Sequence, residues 1–105
     1  MQIKDKRVVV TGAASGIGKA LCEAFKNAHA KSVVCVDMNI EGASETANDI
    51  DGLAIQANVG KEEDIINVIK ESNDYSGGVD IFCSNAGIGG AVSYTHLTLP
   101  TNGEV

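Results

Sequence analysis

Thr11-Gly12-Ala13-Ala14-Ser15-Gly16-Ile17-Gly18 is the stretch from which the rest of the chain can be read. It follows the apolar run Arg7-Val8-Val9-Val10 and leads into a helical pattern that begins near Ile17. A strand, a glycine-rich turn and a helix in that order make a phosphate-binding arrangement. The N–H groups of the turn and the positive end of the helix dipole converge on an anion. Glycine is needed there where φ must be positive, or where a side chain would hold the ligand away. Two other phosphate motifs are excluded by spacing. G-x-G-x-x-G would need glycine at Ala14; G-x-x-x-x-G-K-[ST] ending at Gly18-Lys19 would need glycine at Ala13 and a hydroxyl at Ala20. A tight turn without a ligand is the plain alternative, and the flanking strand and helix argue against it.

The chain has 105 residues, enough for one small domain or part of one. Its 44% hydrophobic content with few aromatics fits a small-residue α/β core and not disorder. Cys22, Cys35 and Cys83 lie in patterned apolar segments, are odd in number and form no C-x-x-C, which predicts reduced core thiols in a cytoplasmic protein. His29 and His96 share no ligand spacing with them, so no metal site is expected. The N-terminal residues run straight into a strand with no signal-peptide core, and no apolar run is long enough to span a bilayer. The net charge of −6 is uneven: residues 1–31 hold six Lys/Arg against two Asp/Glu, and residues 32–105 hold two against twelve. The basic residues are scattered instead of clustered, and the acidic remainder would repel a phosphate backbone, so no nucleic-acid partner is expected.

In chain order, the first strand is 7–11, and Ile17, Ala20, Leu21, Ala24, Phe25 and Ala28 form a helical stripe after it. That helix stops near His29, where a left-handed C-terminal cap is expected; histidine tolerates positive φ better than most residues. Ser32-Val33-Val34-Cys35-Val36-Asp37 reads as a parallel strand buried on both faces and ending in an acid. Asp37 lies 19 residues past Gly18, where a dinucleotide fold places a carboxylate for the adenosine ribose hydroxyls. Asp37 or Asn39 could instead cap the next helix. That helix covers 40–50, with Ala43, Ala47 and Ile50 inward, and Asp51-Gly52 turns into a third strand at 53–57. Gly60-Lys61-Glu62-Glu63-Asp64 opens another helix, with Ile65, Ile66, Val68 and Ile69 on its buried face and a loop over 73–78. Val79-Asp80-Ile81-Phe82-Cys83-Ser84 is a fourth strand, followed by Asn85-Ala86-Gly87.

The turn, as T-G-x-x-x-G-I-G, resembles the cofactor motif of the short-chain dehydrogenase/reductase family. Ser84-Asn85-Ala86-Gly87, about 67 residues further on, resembles that family's second signature, Asn-Asn-Ala-Gly, with Ser84 in the first Asn position. The resemblance covers residues 1–90 and implies an α/β fold: the N-terminal half of a Rossmann-like doubly wound parallel sheet, truncated, with strand order 3-2-1-4. It implies that Asn85 ties neighbouring strands together and that Gly87 lets the backbone approach the cofactor. Asn58-Val59 stands where the family has Asp-Val, the acid receiving the adenine amino group; the Asn58 side-chain oxygen can accept the same bond. His29 likewise departs from a common family glycine. The cofactor-binding set is therefore Thr11, Gly12, Ser15, Gly16, Ile17, Gly18, Asp37, Asn58, Val59, Asn85, Ala86 and Gly87.

From Ala91 the pattern breaks. Val92-Ser93-Tyr94-Thr95-His96-Leu97-Thr98-Leu99-Pro100-Thr101 resembles the translated end of a transposase adapter used in sequencing libraries, so 92–105 is expected to be a non-native tail beside a partial NAD(P)-binding domain at 1–91. A substrate loop of unusual composition is the alternative. With 92–105 non-native, the strand 79–84 would be a sheet edge prone to aggregation, with one face of the first and fourth strands uncovered and the isolated chain insoluble or molten.

The family resemblance implies hydride transfer between a nicotinamide ring and a carbinol or carbonyl carbon of a small alcohol or carbonyl substrate, in a parent protein that is commonly a homo-oligomer. Its proton-transfer residues are a serine and a Tyr-x-x-x-Lys pair. Tyr75 is followed four residues on by Val79, and Tyr94 by Thr98, so no catalytic residue is assigned and the 105-residue chain is expected to be inactive. NAD is the expected cofactor over NADP, because Asp37 repels a 2′-phosphate and neither Ser15 nor Met38 can neutralise one. A non-catalytic nucleotide-binding module and an NADP-dependent member of the same family are the alternatives.

Overall fold

Val8, Val9 and Val10 are all buried, although successive side chains on a strand point to opposite faces. Both faces must therefore be covered, and the covering elements come from the segments between the strands. The computed structural model describes residues 2–14 and 16–85, with the backbone of 92–94. The order is β1 (Arg7–Thr11), α1 (Gly16–Asn27), β2 (Ser32–Asp37), α2 (Ile40–Ile50), β3 (Leu53–Gln56), α3 (Glu62–Ser76), β4 (Ile81–Ser84) and β5 (Val92–Tyr94).

The sheet order is β3-β2-β1-β4-β5, and the first four strands in sequence run parallel. This is the Rossmann-like arrangement expected from the sequence. Val8, Val10, Val33, Cys35, Ile81 and Cys83 share one apolar cluster with Cys22 of α1 and Ala43, Ala47 and Ile50 of α2. Val9, Val34, Val36, Ile55 and Phe82 form the other, with Val68 of α3. Burying each valine or isoleucine contributes about 1.5–3 kcal/mol, so the two clusters are the main stabilising term. All three cysteines are buried thiols. Cys35 and Cys22 touch at 3.6 Å between sulfurs, and this contact followed by burial pushes the Cys22 thiol up from its ordinary value.

Several helix faces and ends differ from expectation. The inward face of α1 is Gly18, Leu21, Cys22 and Phe25, while Ile17 is 62% exposed and Ala20 and Ala24 are also exposed. The cause is Gly18, whose missing side chain lets α1 press on the Gly12 carbonyl and rotates the stripe by about one position. On α3, Ile66 is 59% exposed, and the helix continues to Ser76 through residues read as loop. Gly77, at φ +88°, ends it. His29 has φ +69°, the left-handed cap expected of it.

The fourth strand is not an edge. Phe82, Cys83 and Ser84 pair antiparallel with Tyr94, Ser93 and Val92 of β5, which supplies the backbone partners that the sequence reading left missing. The α3 face of β1 and β4 is also covered: Val9 is 1% and Phe82 7% exposed, because Ile65, Val68 and Ile69 of α3 pack into the same cluster. β5 falls within the segment read as a non-native tail; 95–105 of that segment lie outside the described residues. Among the described residues no helix is long and apolar enough to cross a membrane.

Opposite the carboxyl edge, Arg7 and Asp80 lock β1 to the chain entering β4. The Arg7 backbone N–H and Nε donate to Asp80 Oδ2 at 2.9 and 2.8 Å, and Nη2 donates to Oδ1 at 3.0 Å. The Arg7 side-chain hydrogen bonds hold the Asp80 carboxyl down from 3.8 to about 2, against the opposing effect of burial. A carboxylate depressed in the folded state stabilises the fold above its unfolded value and loses that contribution as pH falls toward the folded one. Asp80→Asn should therefore lower the unfolding free energy by about 1–2 kcal/mol at neutral pH, allowing for solvent screening. Denaturant titrations should show the two proteins converging as pH falls from about 4 to about 2. A difference that persists undiminished at the acid end would refute the assignment.

Candidate functional site

Because β1 to β4 are parallel, Thr11, Asp37, Gln56 and Ser84 end at one edge of the sheet. That edge, where neighbouring connections leave in opposite directions, is where open α/β sheets bind ligands. β1 lies between β2 and β4, so the turn after Thr11 sits at the switch point.

The turn is shaped by its glycines. Gly12 and Gly16 have φ of +69° and +61°, the left-handed region that a side chain disfavours. Gly18 lies so close to the Gly12 carbonyl that a Cβ would overlap its oxygen. Among the described residues, a Cβ built on Gly16 meets nothing within 4 Å, so none of them crowds the start of α1 there. The first N–H groups of a helix have no acceptors within the helix, and here they belong to Gly16, Ile17 and Gly18.

Asp37 joins this turn directly. Ala13 N–H donates to the Val36 carbonyl at 3.0 Å, and Ala14 N–H donates to Asp37 Oδ2 at 3.0 Å. Asp37 Oδ1 accepts from Asn39 N–H at 2.9 Å. Asn39, not Asp37, caps α2, accepting from Gly42 N–H at 3.1 Å. The acid is thus left at the carboxyl edge beside the glycine turn. Met38, next to it, is 63% exposed, as Ile17 is at the start of α1.

Asn58 follows β3 and opens a shallow pocket of 310 Å³ lined by Met38, Gln56, Ala57, Asn58, Lys61 and Asp64. Its side-chain oxygen accepts from Gly60 N–H at 2.8 Å, and its own N–H donates to Asp64 Oδ2 at 2.9 Å. Local turn formation therefore already uses part of the acceptor capacity assigned to adenine. Val59, beside it, is half-buried. Asn85 N–H donates to Thr11 Oγ1 at 2.8 Å, and Thr11 Oγ1 donates to the Cys83 carbonyl at 3.4 Å. These bonds tie the ends of β1 and β4 together. Ser15, Ala86 and Gly87 lie outside the described residues.

The structure adds two residues that the motif reading did not single out. Thr46 of α2 is fully buried and its hydroxyl donates to the Ala13 carbonyl at 2.8 Å. At Gly42 a Cβ would stand 2.7 Å from the Ala14 Cβ, so the helix needs glycine there to lie against the turn. Neither has a local signature, since their partners are distant in sequence.

Comparisons with known proteins agree with this geometry. The family model described as short chain dehydrogenase matches residues 6–102. An uncharacterized oxidoreductase, YuxG, of Bacillus subtilis is 34% identical over 105 residues, covering 93% of this chain and 15% of that protein. An NAD-dependent glycerol dehydrogenase of Listeria innocua is 39% identical over 88 residues, covering 82% of this chain and 34% of that protein. The crystal structure of 3-ketoacyl-(acyl-carrier-protein) reductase from Brucella melitensis complexed with NADH superposes with a TM-score of 0.72 at 34% identity, covering 76% of this chain and 34% of that one. The chain thus spans well under half the length of these relatives.

The tight contact at Gly18 gives a direct test of the turn. Gly18→Ala puts a methyl against a backbone carbonyl that cannot swing aside, and overpacking of this kind costs about 1–3 kcal/mol. Thermal melts should show a clearly lowered midpoint for the variant. Melting at the wild-type temperature would mean that the turn and α1 can separate freely.

Proposed function

The chain belongs to the short-chain dehydrogenase family, which binds nicotinamide cofactors, and on that basis we propose that it is the nucleotide-binding half of an NAD-dependent dehydrogenase. The observation that carries this reading is the Asp37 carboxylate hydrogen-bonded to the Ala14 amide. It brings a ribose acceptor and a diphosphate turn together at one sheet edge.

In this reading Gly12, Ser15, Gly16, Ile17 and Gly18 present backbone N–H groups to the diphosphate, at the positive end of α1. Asp37 accepts from the adenosine ribose hydroxyls on the lone pairs that Ala14 and Asn39 leave. Exposed Ile17 and Met38 offer apolar surface beside the turn and the acid. Asn58 and Val59 border the adenine, with the 310 Å³ pocket as its seat. Thr11 and Asn85 hold the ends of β1 and β4 together, and the family resemblance assigns Ala86 and Gly87 to the second ribose. When bound, the nicotinamide ring would accept or donate the hydride exchanged with a small alcohol or carbonyl compound. No Tyr-x-x-x-Lys pair occurs in the 105 residues, so the chain binds cofactor without turnover. Its buried thiols fit a reducing, cytoplasmic compartment.

The cofactor choice follows from charge. A 2′-phosphate would face the Asp37 carboxylate, and Met38 and Ser15, the sequence positions that could supply a cation beside it, are not basic. Calorimetric titration of the chain should give NADH an advantage over NADPH of about tenfold or more, the equivalent of 1.4 kcal/mol. Asp37→Ala should narrow that gap by weakening NADH binding while sparing NADPH. Preferential binding of NADPH by the wild-type chain would overturn the assignment.

A further inference from the structure

We infer that Thr46 is a positioning residue for diphosphate binding, acting from inside α2 on the peptide unit between Ala13 and Ala14. The inference rests on the dinucleotide reading above and adds to it a residue outside both signature motifs. That peptide unit is held at both ends. Its carbonyl, on Ala13, accepts from Thr46 Oγ1 at 2.8 Å, and its N–H, on Ala14, donates to Asp37 Oδ2 at 3.0 Å. In a trans peptide the carbonyl and the N–H point in opposite directions, so fixing one fixes the other. Thr46 therefore turns the carbonyl into the protein and away from the edge where an anion would sit.

The hydroxyl's own geometry supports this role. A threonine within a helix normally donates back to the carbonyl four residues earlier. Here that carbonyl, on Gly42, is 3.2 Å away, and the shorter bond goes to Ala13, 33 residues away in sequence. Thr46 is fully buried, so water cannot replace the bond. Gly42 lies one turn earlier on the same face and admits Ala14. Together they dock α2 on the turn. Asp37 must share its oxygens with the ribose when ligand is bound, whereas Thr46 makes no demand on the ligand and keeps the carbonyl fixed throughout. Without this hydroxyl, only the Ala14–Asp37 bond orients the peptide unit, and once Asp37 also accepts from the ribose the Ala13 carbonyl can rotate toward the phosphates and repel them.

The test separates a phosphate-specific effect from general damage. Wild-type, Thr46→Val and Thr46→Ser chains are titrated with ADP-ribose and, separately, with adenosine, which has the ribose and base but no phosphate. Valine keeps the shape and removes the donor; serine keeps the donor. Thr46→Val should lose roughly fivefold to tenfold in ADP-ribose affinity, with adenosine affinity unchanged and Thr46→Ser close to wild type. Equal losses for both ligands, no loss for either, or failure of Thr46→Val to fold would overturn the inference, since each assigns the hydroxyl to the fold as a whole or to nothing. If the wild-type chain binds neither ligand, the dinucleotide reading itself fails, and this inference with it.

Discussion

The central constraint is that β1 is hydrogen-bonded along both edges and buried on both faces. Its neighbours β2 and β4 are parallel to it, so their ends align with its own. Its valines alternate between the cluster under α1 and α2 and the cluster under α3. A strand so enclosed can release its chain only at its tip, and the release there is the glycine turn. The position of Asp37 beside Ala14, and of Asn85 beside Thr11, follows from the strand pairing and needs no further device.

The first residues of the turn, Gly12 to Ala14, are held by several contacts before any ligand arrives. Gly18 rests on Gly12, Ala13 is bonded to Val36 and Thr46, and Ala14 is bonded to Asp37. Holding donors in place before binding reduces the ordering cost that association would otherwise carry. The glycines thus do more than permit a turn. At Gly18 and Gly42 the absent side chains let two helices close on the turn, α1 on Gly12 and Ala13 and α2 on Ala14.

Much of this was legible in the sequence because the relevant patterns are local. Continuous apolar runs marked β1 and β2, Asp37 marked the end of β2, and His29 marked a left-handed cap. What was not legible depends on partners far along the chain. The face of α1 is set by Gly18 against Gly12, not by its own periodicity, so Ile17 faces solvent. Ile66 belongs to an apolar run on α3, but the helix's inward face passes through Ile65, Val68, Ile69 and Ser72. Thr46 and the Arg7–Asp80 pair carry no motif at all; only the folded topology brings residues 33 and 73 positions apart into contact. The backbone partners of β4 likewise came from β5, in a stretch whose pattern does not continue the preceding fold.

The central claim is that the glycine turn and Asp37 together form one dinucleotide site. Titrating the ¹⁵N-labelled chain with ADP-ribose and following its backbone amide resonances tests it most directly. The account expects saturable shifts concentrated at Ala14, Gly16, Ile17, Gly18 and Asp37, with the exposed face of α3 around Ile66 unaffected. Saturable shifts confined to other parts of the chain, or none at the turn at ligand concentrations that saturate family relatives, would contradict it.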